Sequence, residues 1–345
     1  MGKLFASIGI AGLLAVLVGL SAGTLFRTGG RAARISITVY GFSIMGEVLR
    51  EEIFPRFREK WLAERGIAVD FVDSYAGSGT VANQIVYGAP ADVAILSHPA
   101  DADRIVACGA SKRGWRGQPH GGYVNRTPWA IVVRPGNPKG IRDFSDLGRP
   151  DIRIVHPDPL TSGGARWAIL AEYGAPLVRA KSEGVPQRPD LAFEQLRSIW
   201  HNVVAQAPSA RAALGQFNAG FGDALITYEV EILFDTAHGR ALEAVLPPVT
   251  IASEHPVVIV DRNVEAAERE AVEAFVDFLW TEPAQRAFVR FGFRSATDSR
   301  LDALNPRFGK VLHMFTSDDL GGLVKVEAEI VEGIWKGRVL PELKR

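Results

Sequence analysis

The chain has very little cysteine and no excess of either charge. It contains one cysteine, Cys108, so it can form no intrachain disulfide and no zinc or iron–sulfur site built from several cysteines. Its 345 residues include 39 Lys and Arg against 39 Asp and Glu, a formal net charge of zero. Nucleic-acid binding depends largely on neutralising phosphates with Lys and Arg. We therefore expect no nucleic acid as a partner.

The residue patterns of common metal sites and hydrolases are also missing. The seven histidines are scattered, without the i, i+4 spacing of zinc ligands on a helix. The segment Ala76-Gly77-Ser78-Gly79 lacks the glycine that a nucleophile elbow requires two residues before its serine. We expect no metal, no cofactor and no enzymatic activity.

A long uncharged segment stands near the start of the sequence. No charged residue occurs between Lys3 and Arg27, and residues 5–20 are almost entirely small and aliphatic. The basic start, the apolar centre and the small residues at 21–23 are typical of a secretory signal, and the length also fits a membrane anchor. We expect residues 1–30 to place the rest of the chain in the periplasm or another extracytoplasmic compartment, with cleavage and retention as an anchor both open.

The remainder alternates predicted strands and helices, which indicates an α/β fold with a largely parallel sheet. Predicted strands at Ile35–Tyr40, Ala68–Asp73 and Asp92–Leu96 form a first unit, and a strand at Trp129–Arg134 leads into a second. Crossovers near Thr127 and His255 would join two lobes. We expect residues 34–126 and 253–300 to form lobe 1 and residues 127–252 to form lobe 2. Residues 301–345, a less regular tail, would pack on both lobes.

Three segments combine small residues and a hydroxyl with the predicted start of a helix. They are Gly77-Ser78-Gly79-Thr80, Thr161-Ser162-Gly163-Gly164-Ala165 and Pro208-Ser209-Ala210-Arg211. The first turn of a helix leaves N–H groups unpaired at the positive end of the helix dipole, and glycine lets an anion approach them. Each segment alone is more often an ordinary cap, but their occurrence at three strand-to-helix junctions favours anion binding.

One of these segments carries a family resemblance. Ser162-Gly163-Gly164-Ala165-Arg166-Trp167, preceded by His156-Pro157-Asp158-Pro159, resembles the signature of the periplasmic sulfate- and thiosulfate-binding proteins of ABC importers. Gly77-Ser78-Gly79, residues 134–139 and residues 222–226 are similar to further segments of that family, in the same order. The resemblance implies a type II periplasmic-binding-protein fold, with a hinge and a ligand cleft between its lobes. It also implies a monomer that delivers an inorganic oxyanion to an ABC permease in the inner membrane.

The resemblance assigns the ligand contacts as well. It implies that the hydroxyl and N–H of Ser78 and the N–H groups of Gly163, Gly164 and Ala210 hold the anion. Ser43 aligns with an Asp of the family that acts through its N–H, and Tyr228 aligns with a Trp that donates from its indole.

The two departures from the family pattern leave the ligand open. A tyrosine hydroxyl can accept as well as donate, and Asp158 and Glu229 are further candidate acceptors. Sulfate or thiosulfate is favoured as the ligand, and molybdate, tungstate or phosphate are the alternatives. A different alternative is that the protein is a membrane-anchored sensory or interaction module that does not transport.

Conspicuous residues near the motifs are expected to have structural roles. We expect Arg166 to form an ion pair, Trp167 to pack on a helix face, and Glu229 and Glu231, interpreted as strand residues, to form salt bridges. Trp115, Trp200 and Trp280 are expected in the core or the cleft wall.

Overall fold

The computed structural model describes residues 34–240 and 242–343. The predictions for residues 1–30 lie outside the described residues. No helix in the described part of the chain has the length and apolarity needed to cross a membrane.

The first third of the described chain alternates strands with helices. Its elements are β1 (Arg34–Phe42), α1 (residues 46–65), β2 (Ala68–Ala76), α2 (Ser78–Val86), β3 (Val93–Ile95) and α3 (Pro99–Ala107). Strand β1 pairs in parallel with both β2 and β3. These three parallel strands and their helices are called lobe 1 below.

The middle of the chain repeats this arrangement after the long strand β4 (Tyr123–Val133). Its elements are β5 (Ile154–Pro157), α4 (Gly163–Ser182), α5 (Pro189–His201), β6 (Val203–Ala207), α6 (Ala210–Asn218), β7 (Ala224–Tyr228), α7 (Glu229–Ala237) and β8 (Glu243–Val245). Strand β5 is parallel to β6 and β7. This second parallel group and its helices are called lobe 2.

The last part of the chain returns to lobe 1 and then ends against lobe 2. Its elements are β9 (Val249–Ile259), α8 (Arg269–Phe278), α9 (Glu282–Phe291), β10 (Arg294–Ser295), β11 (His313–Phe315) and α10 (residues 323–343). The main order of the sheet is β2-β1-β3-β9-β4-β7-β5-β6.

Two long antiparallel strands connect the lobes. Strand β9 pairs with β3 through Val257–Ile259 and with the first half of β4 through residues 252–256. The second half of β4, residues 129–133, pairs with β7. The prediction of a largely parallel sheet is therefore wrong at its centre, where both connecting strands run antiparallel to their neighbours. Each of the two strands changes partner along its length, from a strand of one lobe to the other connecting strand.

Apolar side chains fill the space between the sheet and its helices. The predicted apolar face of α8 is buried, with Val272 and Phe275 fully inaccessible to solvent. Trp115, Trp200 and Trp280 are all buried, which confirms their predicted place in the core. Since no disulfide is possible, this burial is the main stabilising contribution to the fold.

The tail is more regular than the sequence indicated. Strand β11 pairs in parallel with β9, and α10 packs on lobe 2, where Trp335 forms an edge-to-face contact with Trp200 at 4.9 Å between ring centroids. Most of α10, Glu327–Val339, is π-helical. Its buried residues consequently do not follow the 3.6-residue period by which an amphipathic α-helix is identified.

Candidate oxyanion-binding site

Three helices begin where the two lobes face each other. Helix α2 follows β2 in lobe 1, and α4 and α6 follow β5 and β6 in lobe 2, so each begins at the carboxyl end of a strand. Within residues 34–240 and 242–343, the first two N–H groups of each helix make no hydrogen bond to protein. These groups, called the helix-terminus site below, belong to Ser78 and Gly79, Gly163 and Gly164, and Ala210 and Arg211.

The close approach of the three turns depends on glycine. A Cβ atom on Gly77 would lie 2.4 Å from the carbonyl oxygen of Pro208 and 2.5 Å from that of Thr161. A Cβ on Gly163 would lie 3.0 Å from the Cβ of Ser78. All three distances are shorter than van der Waals contact, so a larger residue at Gly77 or Gly163 would push the turns apart. The predicted segments therefore converge in space, although they are far apart along the chain.

Ser78 lies at this convergence but uses its hydroxyl internally. Its Oγ donates to Oδ2 of the buried Asp101 at 2.7 Å and accepts the N–H of Ser97 at 3.0 Å. The hydroxyl hydrogen is thus committed to Asp101, and the N–H is the free donor of this residue. Neither Asp101 nor Ser97 is among the site residues predicted from the sequence. The only signal available was their position just after the buried strand β3.

Tyr228, the last residue of β7, reaches the site from lobe 2. Its side chain is buried, and its Oη lies 2.5 Å from Ser97 Oγ of lobe 1. A Cβ on Gly164 would lie only 2.2 Å from the same Oη. Burial raises the pKa of Tyr228 well above its usual value, so the phenol is neutral.

The remaining two predicted contacts differ in how closely they join the site. Ala210 is buried at the start of α6, directly after the turn whose Pro208 carbonyl faces Gly77. Ser43 is half-buried in the turn after β1. Its neighbour Phe42 packs 6.2 Å from the Tyr228 ring, so the turn borders the site, but no hydrogen bond in the described part of the chain links Ser43 itself to the other residues.

The two carboxylates considered as ligand acceptors are engaged elsewhere. Glu229 pairs with Arg294 at 2.9 Å and accepts the N–H of Gly309 at 2.9 Å. Asp158 accepts the N–H of Leu160 within its own turn at 2.9 Å. Of the three candidate acceptors, Tyr228 is the one that contacts the glycines of the helix-terminus site.

A cluster of three charged side chains, called the Arg211 bridge below, joins the lobes beside the site. Arg211 of lobe 2 donates through Nε to Glu231 at 2.9 Å and through Nη1 to Glu47 of α1 in lobe 1. Glu231 is fully buried, and this desolvation raises its pKa to about 7 although Arg211 acts to lower it. The predicted salt bridges of Glu229 and Glu231 are confirmed, but both residues lie in the first turn of α7 and not in a strand.

A second set of contacts lies behind α4. Arg166 is 3.1 Å from Glu327 of α10 and 3.7 Å from Asp101, which confirms its predicted ion pairing. Trp167 is buried as predicted, and its indole donates across the lobes to the carbonyl of Ser97 at 2.7 Å. The guanidinium groups of Arg166 and Arg211 are therefore both paired with carboxylates. The unpaired donors of the helix-terminus site are uncharged main-chain N–H groups.

The histidines nearest the site are neutral. His98 and His255 are completely buried, and burial lowers the pKa of each, that of His255 to about 3. No group of three or more His, Cys, Asp or Glu side chains in the described ranges is placed to hold a metal ion. The arrangement can bind an anion through hydrogen bonds and helix dipoles, without a cation.

Several known proteins are similar to this chain. Residues 37–294 match the family model described as bacterial extracellular solute-binding protein. A sulfate-binding protein of Synechococcus elongatus is 34% identical over 316 residues, covering 90% of this chain and 88% of that protein. A thiosulfate-binding protein of Pseudomonas aeruginosa is 29% identical over 298 residues, covering 85% of this chain and 87% of that protein.

Solved structures match as well. The sulfate-binding protein SubI from Mycobacterium tuberculosis H37Rv superimposes with a TM-score of 0.76 and 29% identity, over 86% of this chain and 99% of that one. A periplasmic thiamin-binding protein matches with a TM-score of 0.64 and 16% identity, over 88% of this chain and 96% of that one. The second match, at that identity, concerns the fold alone.

Proposed function

The chain belongs to the family of bacterial extracellular solute-binding proteins, and from this premise we propose that it is the receptor of an ABC importer for sulfate or thiosulfate. It has the two-lobed type II fold of periplasmic binding proteins. The sulfate- and thiosulfate-binding names of its relatives support the choice of ligand.

The observation that carries this proposal is the convergence of three helix N-termini on one point between the lobes. The N–H groups of Ser78, Gly163, Gly164 and Ala210 have no protein acceptor among the described residues, and the glycines allow the turns to approach each other closely. Unpaired N–H groups and the positive ends of three helix dipoles stabilise a dianion without a cationic side chain. The paired state of Arg166 and Arg211 supports the same uncharged mode of binding.

The proposed working cycle uses the two strands that cross between the lobes. The anion binds to an open form, and bending of β4 near residue 127 and of β9 near residue 253 closes the cleft. The closed receptor, a monomer exported by its N-terminal segment, docks on an inner-membrane permease and releases the anion. Under this proposal residues 34–126 and 253–300 move as lobe 1 and residues 127–252 as lobe 2, residues 301–345 pack on them, and no covalent chemistry occurs.

Gly163→Asp tests the site directly. The new carboxylate would stand among the N–H donors and beside Asp101, 2.6 Å from the added Cβ, so it would repel the anion and occupy its place. We expect titration calorimetry to detect sulfate or thiosulfate binding by the unaltered protein and none by the variant.

Gly215→Asp is the matched control. Gly215 lies within α6, and a Cβ there would meet no atom within 4 Å, so this variant should bind with unaltered affinity. Unaltered affinity in Gly163→Asp would contradict the site, and absence of sulfate and thiosulfate binding by the unaltered protein would contradict the function.

A further inference from the structure

Two hydroxyl groups from different lobes meet at the helix-terminus site. Ser97 Oγ follows β3 in lobe 1, Tyr228 Oη ends β7 in lobe 2, and the two atoms are 2.5 Å apart. Both residues are 1% exposed. The pair is held between the starts of two helices, because the N–H of Ser97 donates to Ser78 of α2 and Tyr228 Oη touches Gly164 of α4.

The hydrogens of this pair can be counted. Each hydroxyl carries one hydrogen and two lone pairs, and the hydrogen bond between them uses one hydrogen whichever group donates it. One hydrogen and at least one lone pair on each oxygen therefore remain, and neither oxygen has a further hydrogen-bond partner among the described residues. The raised pKa of Tyr228 keeps the phenol protonated, so this count holds throughout the neutral pH range.

The other donors of the helix-terminus site cannot switch between donating and accepting. The N–H groups of the helix-terminus site only donate, and the Ser78 hydroxyl already donates to Asp101 and accepts from Ser97. A ligand O–H directed at an N–H would face a donor with no acceptor between them. The Ser97–Tyr228 pair can instead turn its free hydrogen toward an ionised oxygen, or turn it away and present a lone pair to a ligand O–H.

We infer that the Ser97–Tyr228 pair determines selectivity by accepting one proton-bearing oxygen, so that the protein binds hydrogen phosphate as well as sulfate. This inference rests on the proposed function, because it concerns the anion held at the same site. It assigns a specificity role to Ser97, a residue that belongs to none of the motifs identified in the sequence.

The experiment compares phosphate with sulfate by titration calorimetry at pH 6 and pH 8. The variants are Ser97→Ala, Tyr228→Phe and the double variant, which removes both hydroxyls that are free to turn. Losing one donor should weaken sulfate binding by up to about tenfold, whereas hydrogen phosphate should lose a further 10- to 100-fold, roughly the effect of an unsatisfied buried group. The ratio of the phosphate Kd to the sulfate Kd is the readout.

Thr227→Val is the matched control. Thr227 is a fully buried hydroxyl residue of the same strand, and the alternation of side chains along β7 places it on the face opposite Tyr228. This variant removes a hydroxyl without touching the pair and should leave the ratio unchanged. Each single variant keeps one hydroxyl that can still donate or accept, so the rise in the ratio is expected in the double variant. If the double variant does not fold, the unaltered protein decides the question, because binding of sulfate without binding of phosphate overturns the inference.

The outcomes separate the inference from the proposed function. A rise of about tenfold or more in the ratio in the double variant, as expected from the cost of an unsatisfied group, supports the inference. A smaller rise, or undetectable phosphate binding by an unaltered protein that binds sulfate, overturns the inference and leaves the proposed function standing. An unaltered protein that binds none of sulfate, thiosulfate and phosphate overturns both.

Discussion

The helix-terminus site and the Arg211 bridge are neighbours on the same inter-lobe face, yet they handle charge in opposite ways. The site offers main-chain N–H groups from three helices, whereas the bridge joins the guanidinium of Arg211 to the carboxyl groups of Glu47 and Glu231. Arg211 follows directly after Ala210 in the chain, but its guanidinium is directed to two carboxylates. Under the proposed function the anion would be held by hydrogen bonds, whose number and direction depend on geometry. The bridge adds ionic contacts between the lobes and leaves no unpaired cation on Arg211.

The largest expected effect comes from breaking the bridge at its centre. Arg211→Met would leave Glu231 fully buried without its partner, and removing one member of a buried ion pair costs about 3–5 kcal/mol. We expect a loss of that size in the free energy of unfolding, measured with urea at pH 8. Arg300→Met is the control, because Arg300 pairs with Asp298 while 90% exposed and should change stability by less than about 1 kcal/mol. Equal effects of the two variants would contradict the role given to the bridge.

The next effect concerns the uncharged site. Gly164→Ala would put a methyl group 2.2 Å from Tyr228 Oη, so the ring or the start of α4 must move. Overpacking of this kind costs about 1–3 kcal/mol, and we expect sulfate affinity to fall by roughly 10- to 100-fold in calorimetry. Gly215→Ala, in open space on α6, should leave affinity unchanged. A fall of less than threefold for Gly164→Ala would show that the site does not need the close approach.

A pH experiment tests whether His255, which packs against Tyr228, is neutral in the folded protein. His255 lies edge-on to the Tyr228 ring at 5.9 Å between centroids, and its pKa is lowered to about 3 in the folded protein. The unfolded chain binds a proton below its ordinary pKa of about 6.5, and the folded protein does not until about pH 3, so stability falls as pH decreases through this window.

His255→Gln removes this titration and keeps a donor for Asn125. Between pH 7.5 and pH 5 the unaltered protein should lose about 2 kcal/mol more of its unfolding free energy than the variant, at about 1.4 kcal/mol per pH unit. Parallel pH profiles for the two proteins would mean that the pKa of His255 is not lowered in the folded protein.

The smallest effect is expected at the outer end of the bridge. Glu47→Gln removes the inter-lobe ion pair at a side chain that is 26% exposed, and such pairs contribute at most about 1 kcal/mol. We expect sulfate affinity to fall less than about fivefold, and the difference to shrink in 0.5 M NaCl because salt screens exposed charges.

Glu52→Gln on the same helix is the control for this variant. Glu52 pairs with Arg56 and with Arg290 of α9, and none of these residues belongs to lobe 2. It should therefore leave affinity unchanged. A larger loss of affinity in Glu52→Gln than in Glu47→Gln would contradict the inter-lobe role of the bridge.

The parts of the fold and site that could be predicted are those with local causes. The serine and glycine turns marked the starts of α2, α4 and α6, because capping residues act within one helical turn. The buried tryptophans and the apolar face of α8 followed from composition and periodicity.

Other parts have no local signal. Ser97 and Asp101 became site residues only through Ser78 and Tyr228, which contact them across 19 to 131 positions of sequence. Glu229 and Glu231 were assigned to a strand because residues two positions apart share one face of a strand. The same two positions also occur in the first turn of a helix, and nothing local separates the two cases. The π-helical stretch of α10 has no sequence period that distinguishes it from irregular chain.

The sequence by itself determined that this protein is an α/β protein without intrachain disulfides, that three helix starts carry glycine and hydroxyl residues, and that its motifs resemble those of sulfate- and thiosulfate-binding proteins. These features depend on residues a few positions apart, whose preferences act before any long-range contact forms. Only the tertiary structure decided that the three helix starts meet, that Arg211 is directed to carboxylates and away from the centre, and that Ser97 joins Tyr228. These outcomes depend on how the antiparallel strands β4 and β9 set the two lobes against each other, and such packing brings together side chains that no local pattern relates.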